Sequence, residues 1–264
     1  MGFQDAAGNP IRLERAQNGV VTILIDRPQK KNALDFAMWR SLAEMVDELA
    51  ADAAVRALVL GSAGPDFSAG ADIAEFDSLR GEPDSARTYE AANSAAFAAL
   101  RDAPFPTLAA ISGICFGGGF GLAAACDMRI AAANARFAVP AARLGLAYPV
   151  DAMADIVHAL GPQLARHLTF TGASIGAERA LAVGFLLELA EAPLARAGEI
   201  AATIAANAPL SVRASKAAIA AVLSGGEADV VRAIRLGDAT FSSADYEEGR
   251  AAFKERRTPS FTGA

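Results

Sequence analysis

The stretch GICFGGGFGLAAACD, Gly113–Asp127, constrains this chain more than any other. Three consecutive glycines stand between an apolar strand pattern and an alanine-rich run that favours helix. Glycine inside an element costs about 0.5–1 kcal/mol relative to alanine. A triplet at a strand-to-helix junction therefore marks a place where the backbone is approached too closely for side chains. The flanks fit that reading. PTLAAISG (Pro106–Gly113) reads as a buried strand, ICFGGG as the loop, FGLAAACD as the helix start and MRIAA (Met128–Ala132) as another strand. An earlier segment repeats the plan: ALVLG (Ala57–Gly61) is a short apolar strand that enters the small-residue loop SAGPDFSAGAD. Two strand–loop–helix units of this kind are an α/β signature.

The rest of the chain extends the plan. VVTILID (Val20–Asp26) is a strand pattern ended by Arg27-Pro28. Asp35 is a candidate helix cap, and Leu34, Met38, Leu42, Met45 and Leu49 follow at helical spacing. Beyond about Tyr148 the pattern is helical, with Pro149, Pro162, Pro193 and Pro209 where helices can start. With 264 residues, 53% hydrophobic and 20% charged, the chain can bury a substantial core. Its net charge of −6 argues against a nucleic-acid or anionic-membrane binder. The N-terminus shows no charged-then-apolar leader, and Ala6 breaks the myristoylation pattern that Met-Gly begins. No apolar run reaches membrane-span length. Cys115 and Cys126 read as small buried thiols, so the expected setting is reducing and cytoplasmic.

Gly119, Gly121 and Ala124 match the dinucleotide-binding pattern G-x-G-x-x-A. That pattern also asks for a carboxylate about 20 residues on, and ARFAVPAAR (Ala135–Arg143) has none. Another reading fits better. FSAGAD and FGGGFG are both strand-to-helix loops that can present backbone N–H groups at a helix start, where donors lack partners. Two such loops side by side would hold one carbonyl oxygen from two directions.

DRPQKKNAL (Asp26–Leu34), FSAGADI (Phe67–Ile73), GGGFGLAAACDMRIA (Gly117–Ala131), ARFAVPAARLGL (Ala135–Leu146) and DYEEGRAAFKERRTPSF (Asp245–Phe261) together resemble the crotonase, or enoyl-CoA hydratase/isomerase, family. The resemblance covers nearly the whole chain. It implies a spiral of ββα units over residues 1–195 that binds acyl-CoA, and a helical C-terminal trimerisation region over 196–264. It implies a CoA thioester substrate, no cofactor beyond that CoA and no metal, and a homotrimer or dimer of trimers. The amides of Ala71 and Gly118 would grip the thioester oxygen as enolate charge develops. Lys31, Ala33, Ala69, Asp72, Ile73, Phe116, Gly121, Pro140, Ala141, Leu144, Phe253 and Lys254 would lie along the CoA and acyl path. Lys30, Lys31, Lys254, Arg256 and Arg257 are candidate partners for the CoA phosphates, the last three from a neighbouring subunit; solvated surface charge is the ordinary alternative.

The departures matter as much. Family hydratases carry two glutamates, and the corresponding positions here are Gly121 and Ala141. Acid/base groups typically contribute about 10²–10⁴-fold, so standard hydration is not expected. Replacement candidates are Asp151 and Tyr148, from YPVDAMADIVHALG. That segment reads as a helix with Met153, Ile156, Val157 and Leu160 on one face. Asp151, Asp155 and His158 lie on the other, ordinarily a solvated face with a weak Asp155–His158 pair. His158 and His167 have no metal-ligand or triad context, and no G-x-S-x-G elbow exists. The reading is a crotonase-type acyl-CoA enzyme that stabilises a thioester enolate. The alternatives are a catalytically silent acyl-CoA-binding protein, or a CoA-thioester isomerase, decarboxylase or hydrolase that uses Asp151 or Tyr148.

Overall fold

A computed structural model of the chain describes residues 10–264. The N-terminal expectations, on a leader and on Ala6, lie outside the described residues. Among the described residues nine strands form two sheets. β1 (Ile11–Arg15), β2 (Val20–Ile25), β3 (Ala57–Ser62) and β4 (Thr107–Ile111) belong to the larger sheet. After β5 (Ile114–Phe116) come β6 (Met128–Ala131), β7 (Arg136–Ala138), β8 (Ser174–Gly176) and β9 (Glu188–Leu189). The larger sheet runs β1-β2-β3-β4-β6-β9 and is parallel except for the antiparallel β1–β2 pair. The smaller runs β5-β7-β8.

The chain passes from β4 of one sheet to β5 of the other through Ser112 and Gly113, whose φ of 56° only glycine adopts freely. β6 and β7 repeat the step. The expected loop ICFGGG is thus corrected: Ile114–Phe116 is a strand, paired in parallel with Arg136–Ala138. Three residues are too few to display an alternation, so the ladder, not the pattern, defines them.

The helices are α1 (Phe36–Ala50), α2 (Phe76–Leu79), α3 (Pro83–Asp102), α4 (Gly118–Ala125), α5 (Val150–Leu160) and α6 (Pro162–Thr171). They continue as α7 (Ala177–Ala182), α8 (Pro193–Ala205), α9 (Pro209–Ser224), α10 (Glu227–Thr240) and α11 (Ala244–Glu255). Asp35 caps α1, its Oδ1 accepting from the Met38 amide at 2.9 Å. Proline opens α6, α8 and α9 as expected, and Pro149 is the residue before α5.

Both faces of the central strands β3 and β4 are covered, which is why these two strands are almost wholly apolar. Leu58 and Leu60 of β3 and Ala109 and Ile111 of β4 join a core with Trp39, Leu42, Phe97, Phe120 and Phe137. The alternate residues Ala57, Val59, Leu108 and Ala110 face Ala197 and Ala201 of α8. The expected boundary at 195/196 falls inside α8. Beyond it, α9 is tied down by Lys216, which reaches Asp127 at 2.9 Å and the Phe105 carbonyl at 3.0 Å. α10 packs on α9 and buries none of its own residues. Ile219, Val222 and Leu223 of α9 and Val230, Val231 and Ile234 of α10 are exposed. Among the described residues no helix is long and apolar enough to cross a membrane.

Removing the α1 cap is expected to weaken the helix beneath the glycine loop. Asp35→Ala should cost about 1 kcal/mol of unfolding free energy, read by urea denaturation, and Asp35→Asn should restore most of it.

Candidate active site

The site is built where the two small-residue loops meet. The Ser68 amide donates to the Ile114 carbonyl at 3.0 Å, and the Phe116 amide to the Ser68 carbonyl at 2.9 Å. These bonds lay the first loop beside β5 as an extra strand. At Gly70 (φ 92°) the two backbones touch. A Cβ there would stand 2.7 Å from the Gly118 nitrogen and 2.8 Å from the Phe116 oxygen. The triplet is hemmed in likewise. A Cβ on Gly118 would meet the Trp39 ring at 2.8 Å, and one on Gly119 the Ser68 carbonyl oxygen at 2.6 Å. The approach that excludes side chains is the protein's own backbone and core. Gly117 differs, because a Cβ there would have only ordinary contacts, 3.8 Å to the Ala69 oxygen and 3.8 Å to the Tyr148 hydroxyl.

The amides of Ala71 and Gly118 at this junction have no acceptor among the described residues. Gly70 donates to Ser68 Oγ at 3.0 Å, Asp72 to the Leu34 carbonyl at 2.8 Å and Gly117 to the Ala138 carbonyl at 3.0 Å. Ala71, between the first two, donates to nothing. Gly118 is the first residue of α4 and has no intrahelical acceptor. The Ala71 nitrogen lies 3.7 Å from a Cβ position on Gly118, so the free donors are neighbours at a helix start that favours negative charge.

A buried polar scaffold, absent from the residues the sequence singles out, holds this geometry. Asn32, fully buried and left-handed (φ 54°), donates from Nδ2 to the Ala63 carbonyl at 2.7 Å and the Asp66 carbonyl at 2.6 Å. Its Oδ1 accepts from the Arg27 amide at 2.8 Å. Ser68 Oγ donates to the Asn32 carbonyl at 2.8 Å. Asp72 joins the clasp, its Oδ2 2.8 Å from Arg27 Nη1. Burial disfavours the Asp72 carboxylate, but the Ala74 amide and the Arg27 guanidinium outweigh it and hold the carboxyl below the usual aspartate range. Only the DRPQKKNAL motif as a whole signalled Asn32 and Arg27.

The other expected residues divide clearly. Ala33 is buried; Ala69 and Phe116 line the loop junction half-buried; Ile73 is 61% exposed. Lys30 and Lys31 are exposed beside them, with Lys30 Nζ 3.9 Å from Asp72. Pro140, Ala141 and Leu144 form a 3-10 turn packed on α6, Leu144 exposed. Phe253 and Lys254 stand exposed on α11, whereas Arg257 is held by Glu248 and Glu255. Gly121 is buried in α4, and a Cβ on it would stand 2.6 Å from the Phe97 ring. Phe97 therefore occupies the space a longer side chain at 121 would need.

Tyr148 is half-buried and brought to the loop junction. Burial pushes its hydroxyl well above the usual tyrosine range, with the Cys115 thiol adding to the shift, so it stays a proton donor at neutral pH. Asp151 lies half-buried in the first turn of α5, without an ion pair among the described residues. The expected solvated face of α5 is corrected. Asp155 is buried and accepts from Arg101 Nη1 of α3 at 2.9 Å, while His158 is exposed. A carboxylate can line a core face when a long arginine reaches it from a neighbouring helix. Burial dominates its titration and raises the Asp155 carboxyl despite Arg101. Cys115 and Cys126 are free and buried, the Cys126 thiol pushed up to about 12 by burial. Among the described residues no group of three or more His, Cys, Asp or Glu could hold a metal ion.

Comparison with known proteins adds an independent line. The enoyl-CoA hydratase/isomerase family matches residues 15–264. A mitochondrial methylglutaconyl-CoA hydratase of Mus musculus is 32% identical over 95% of this chain and 82% of its own. A crotonyl-CoA hydratase of Syntrophomonas wolfei subsp. wolfei is 33% identical over 95% of this chain and 97% of its own. The crystal structure of an enoyl-CoA hydratase/carnithine racemase from Magnetospirillum magneticum superposes with a TM-score of 0.89 at 34% identity, covering 97% of this chain and 96% of that one.

The Asp72 clasp has a defined pH signature. A carboxyl lowered in the folded state contributes stability above its unfolded value, ordinarily near 3.8, and loses it as pH falls through the folded value. Asp72→Asn should therefore be less stable than wild type at pH 7. The difference should shrink as pH drops below about 4, measured by thermal melts across the acid range.

Proposed function

The chain belongs to the enoyl-CoA hydratase/isomerase family of crotonase-type acyl-CoA enzymes, and on that premise we propose that it binds an acyl-CoA thioester and stabilises its enolate with the amides of Ala71 and Gly118. The observation that carries this reading is the pair of neighbouring amides without acceptors, at a junction where Gly70 presses on the Gly118 nitrogen. The thioester oxygen accepts from both donors. As negative charge moves onto it, each preorganised donor stabilises the transition state by about 2.7–4 kcal/mol. CoA runs past Lys31, Ala33, Ala69, Ile73 and Phe116, with Pro140 and Leu144 along the acyl side. Asp72 acts by fixing the loop rather than by touching ligand. The exposed Phe253 and Lys254 serve a neighbouring subunit in a homotrimer or dimer of trimers, with the apolar faces of α9 and α10 as contact surface.

The proton comes from Tyr148 rather than from a carboxylate at position 121 or 141. Its hydroxyl lies beside Gly117 and is held neutral by burial, which suits a donor to the enolate carbon and not a base. Decarboxylation, which delivers the enolate as CO2 departs and needs no base, follows most directly from that set; isomerisation needs Asp151 to remove the proton, and hydrolysis would use the amide pair for a tetrahedral oxyanion rather than an enolate. Asp151 is the second candidate acid/base group. Several relatives are named for hydratases, so hydration through Tyr148 or Asp151 is the competing reading.

Calorimetry tests the oxyanion pair. Butyryl-CoA should bind about tenfold more tightly than its thioether analogue S-butyl-CoA, which lacks the carbonyl, since two ground-state hydrogen bonds are lost. Equal affinity would remove the Ala71–Gly118 role. Wild type should hydrate crotonyl-CoA very slowly by the loss of enoyl absorbance; fast hydration overturns the reaction assignment. Gly121→Glu alone should not raise that rate, because Phe97 fills the space. Phe97→Ala with Gly121→Glu and Ala141→Glu is the combination expected to raise it. Tyr148→Phe should lower turnover of the true substrate about 10²–10⁴-fold with thioester affinity unchanged. Sedimentation should show a trimer or hexamer.

A further inference from the structure

Arg80 is a cation without a counter-charge beside the proposed site. It caps α2, and its guanidinium lies over the Phe76 ring at 4.8 Å and the Tyr89 ring at 4.6 Å. Its Nε is buried and donates to nothing, and no nitrogen of its side chain has an acceptor or a carboxylate partner among the described residues. Comparable half-buried cations here are engaged: Arg27 by Asp72, Arg101 by Asp155, Lys216 by Asp127, and Arg129 by the Phe185, Ala123 and Cys126 carbonyls. A partly desolvated guanidinium lacking acceptors is costly unless something else supplies them.

Its surroundings say where that acceptor would come from. Tyr89, the ring beneath Arg80, is buried, and its hydroxyl donates to the Leu34 carbonyl at 3.3 Å. Leu34 is the bridge partner of Ala71, so the stack rests on the segment that positions one of the two free amides. On the other side Arg80's charge acts on the Tyr148 hydroxyl, the group beside Gly117. Arg80 thus shares neighbours with both the oxyanion pair and the proposed proton donor. Two aromatic rings limit its rotation and leave the forked Nη end free.

We propose that Arg80 binds a second carboxylate on the acyl group, so that the substrate is the CoA thioester of a dicarboxylic acid. This rests on the acyl-CoA reading above and narrows it. A guanidinium fork matches a carboxylate with two parallel hydrogen bonds, and stacking on Phe76 and Tyr89 fixes the plane of the fork before the ligand arrives. A neutral acyl chain would leave the same donors unsatisfied and cover them with hydrocarbon, so the residue also selects against simple fatty acyl groups. Arg80 is a specificity residue in this account: it holds the acyl end and takes no part in proton transfer.

The test is calorimetric binding of matched thioesters to wild type, Arg80→Met and Arg80→Lys. Malonyl-, succinyl- and glutaryl-CoA are each compared with propionyl-, butyryl- and valeryl-CoA. In wild type one dicarboxylic thioester should bind about tenfold to a hundredfold more tightly than its neutral counterpart. The length at which this preference peaks reports the span from the amide pair to Arg80. Arg80→Met should abolish the preference by weakening the dicarboxylic thioester, while the neutral thioesters bind at least as tightly as to wild type. Arg80→Lys, which keeps the charge but not the fork, should retain part of it. A wild type that binds both series equally, or an Arg80→Met variant that keeps the preference, overturns the inference and leaves the acyl-CoA reading standing. An equal loss for all thioesters and for free CoA would assign Arg80 to a CoA phosphate and also overturn it. Failure of every thioester to bind would remove the acyl-CoA reading itself, and this inference with it.

Discussion

The close approach of Gly70 to the Gly118 amide nitrogen, which leaves no space for a Cβ at Gly70, is the constraint on which the rest depends. It brings two strand-to-helix loops from different ββα units to backbone distance. One loop offers the free Ala71 amide and the other the free Gly118 amide. Only their apposition makes the two donors neighbours. The expense of the arrangement is met by burial elsewhere. Asn32 and Ser68 satisfy the carbonyls and amides the loops would otherwise strand, and Trp39 and Phe97 fill the volume beneath the triplet. A preorganised donor pair requires this stiffness, because donors that must reorient on binding lose most of their advantage in the transition state.

What was legible in the sequence follows from what kind of constraint each residue obeys. A backbone requirement dictates residue identity, so the GGG and SAGAD loops were readable, as were Asp35 and the prolines that open helices. Requirements met by long-range partners leave no local trace. Asp155 looked like a surface carboxylate because the residue that buries it, Arg101, lies on another helix. Phe97 looked like one more apolar position of α3, and its contact with Gly121 exists only in the fold. Asn32 sits among polar neighbours, so its role in tying Arg27 to the Ala63 and Asp66 carbonyls was hidden within a motif. β5 was hidden for a different reason. Three residues pair through hydrogen bonds with β7, and so short an element has no pattern of its own.

The packing also ties positions that the sequence presents separately. Glycine at 121 and phenylalanine at 97 are one steric unit, since the ring stands where a side chain on α4 would go. A carboxylate at 121 would therefore need a smaller residue at 97, and overpacking a core this tight costs about 1–3 kcal/mol. The absence of a carboxylate at 121 is thus built into the α3–α4 interface rather than being an isolated change in the loop.

The polar groups that the proposed reading assigns to the acyl group are Tyr148, ahead of α5 with its hydroxyl 3.8 Å from a Cβ position on Gly117, and Arg80, which caps α2 and stacks on Phe76 and Tyr89. They differ in kind from a pair of carboxylates. Both are donors at neutral pH: a tyrosine kept protonated by burial and a guanidinium that is always charged. On the proposed reading these two donors attract and stabilise anions, and any proton abstraction is left to Asp151. The site would then favour substrates that bring negative charge with them, or that develop it as the enolate forms. On the same reading, backbone donors at Ala71 and Gly118 would act on the thioester oxygen, and the side-chain donors on whatever the acyl group carries beyond it.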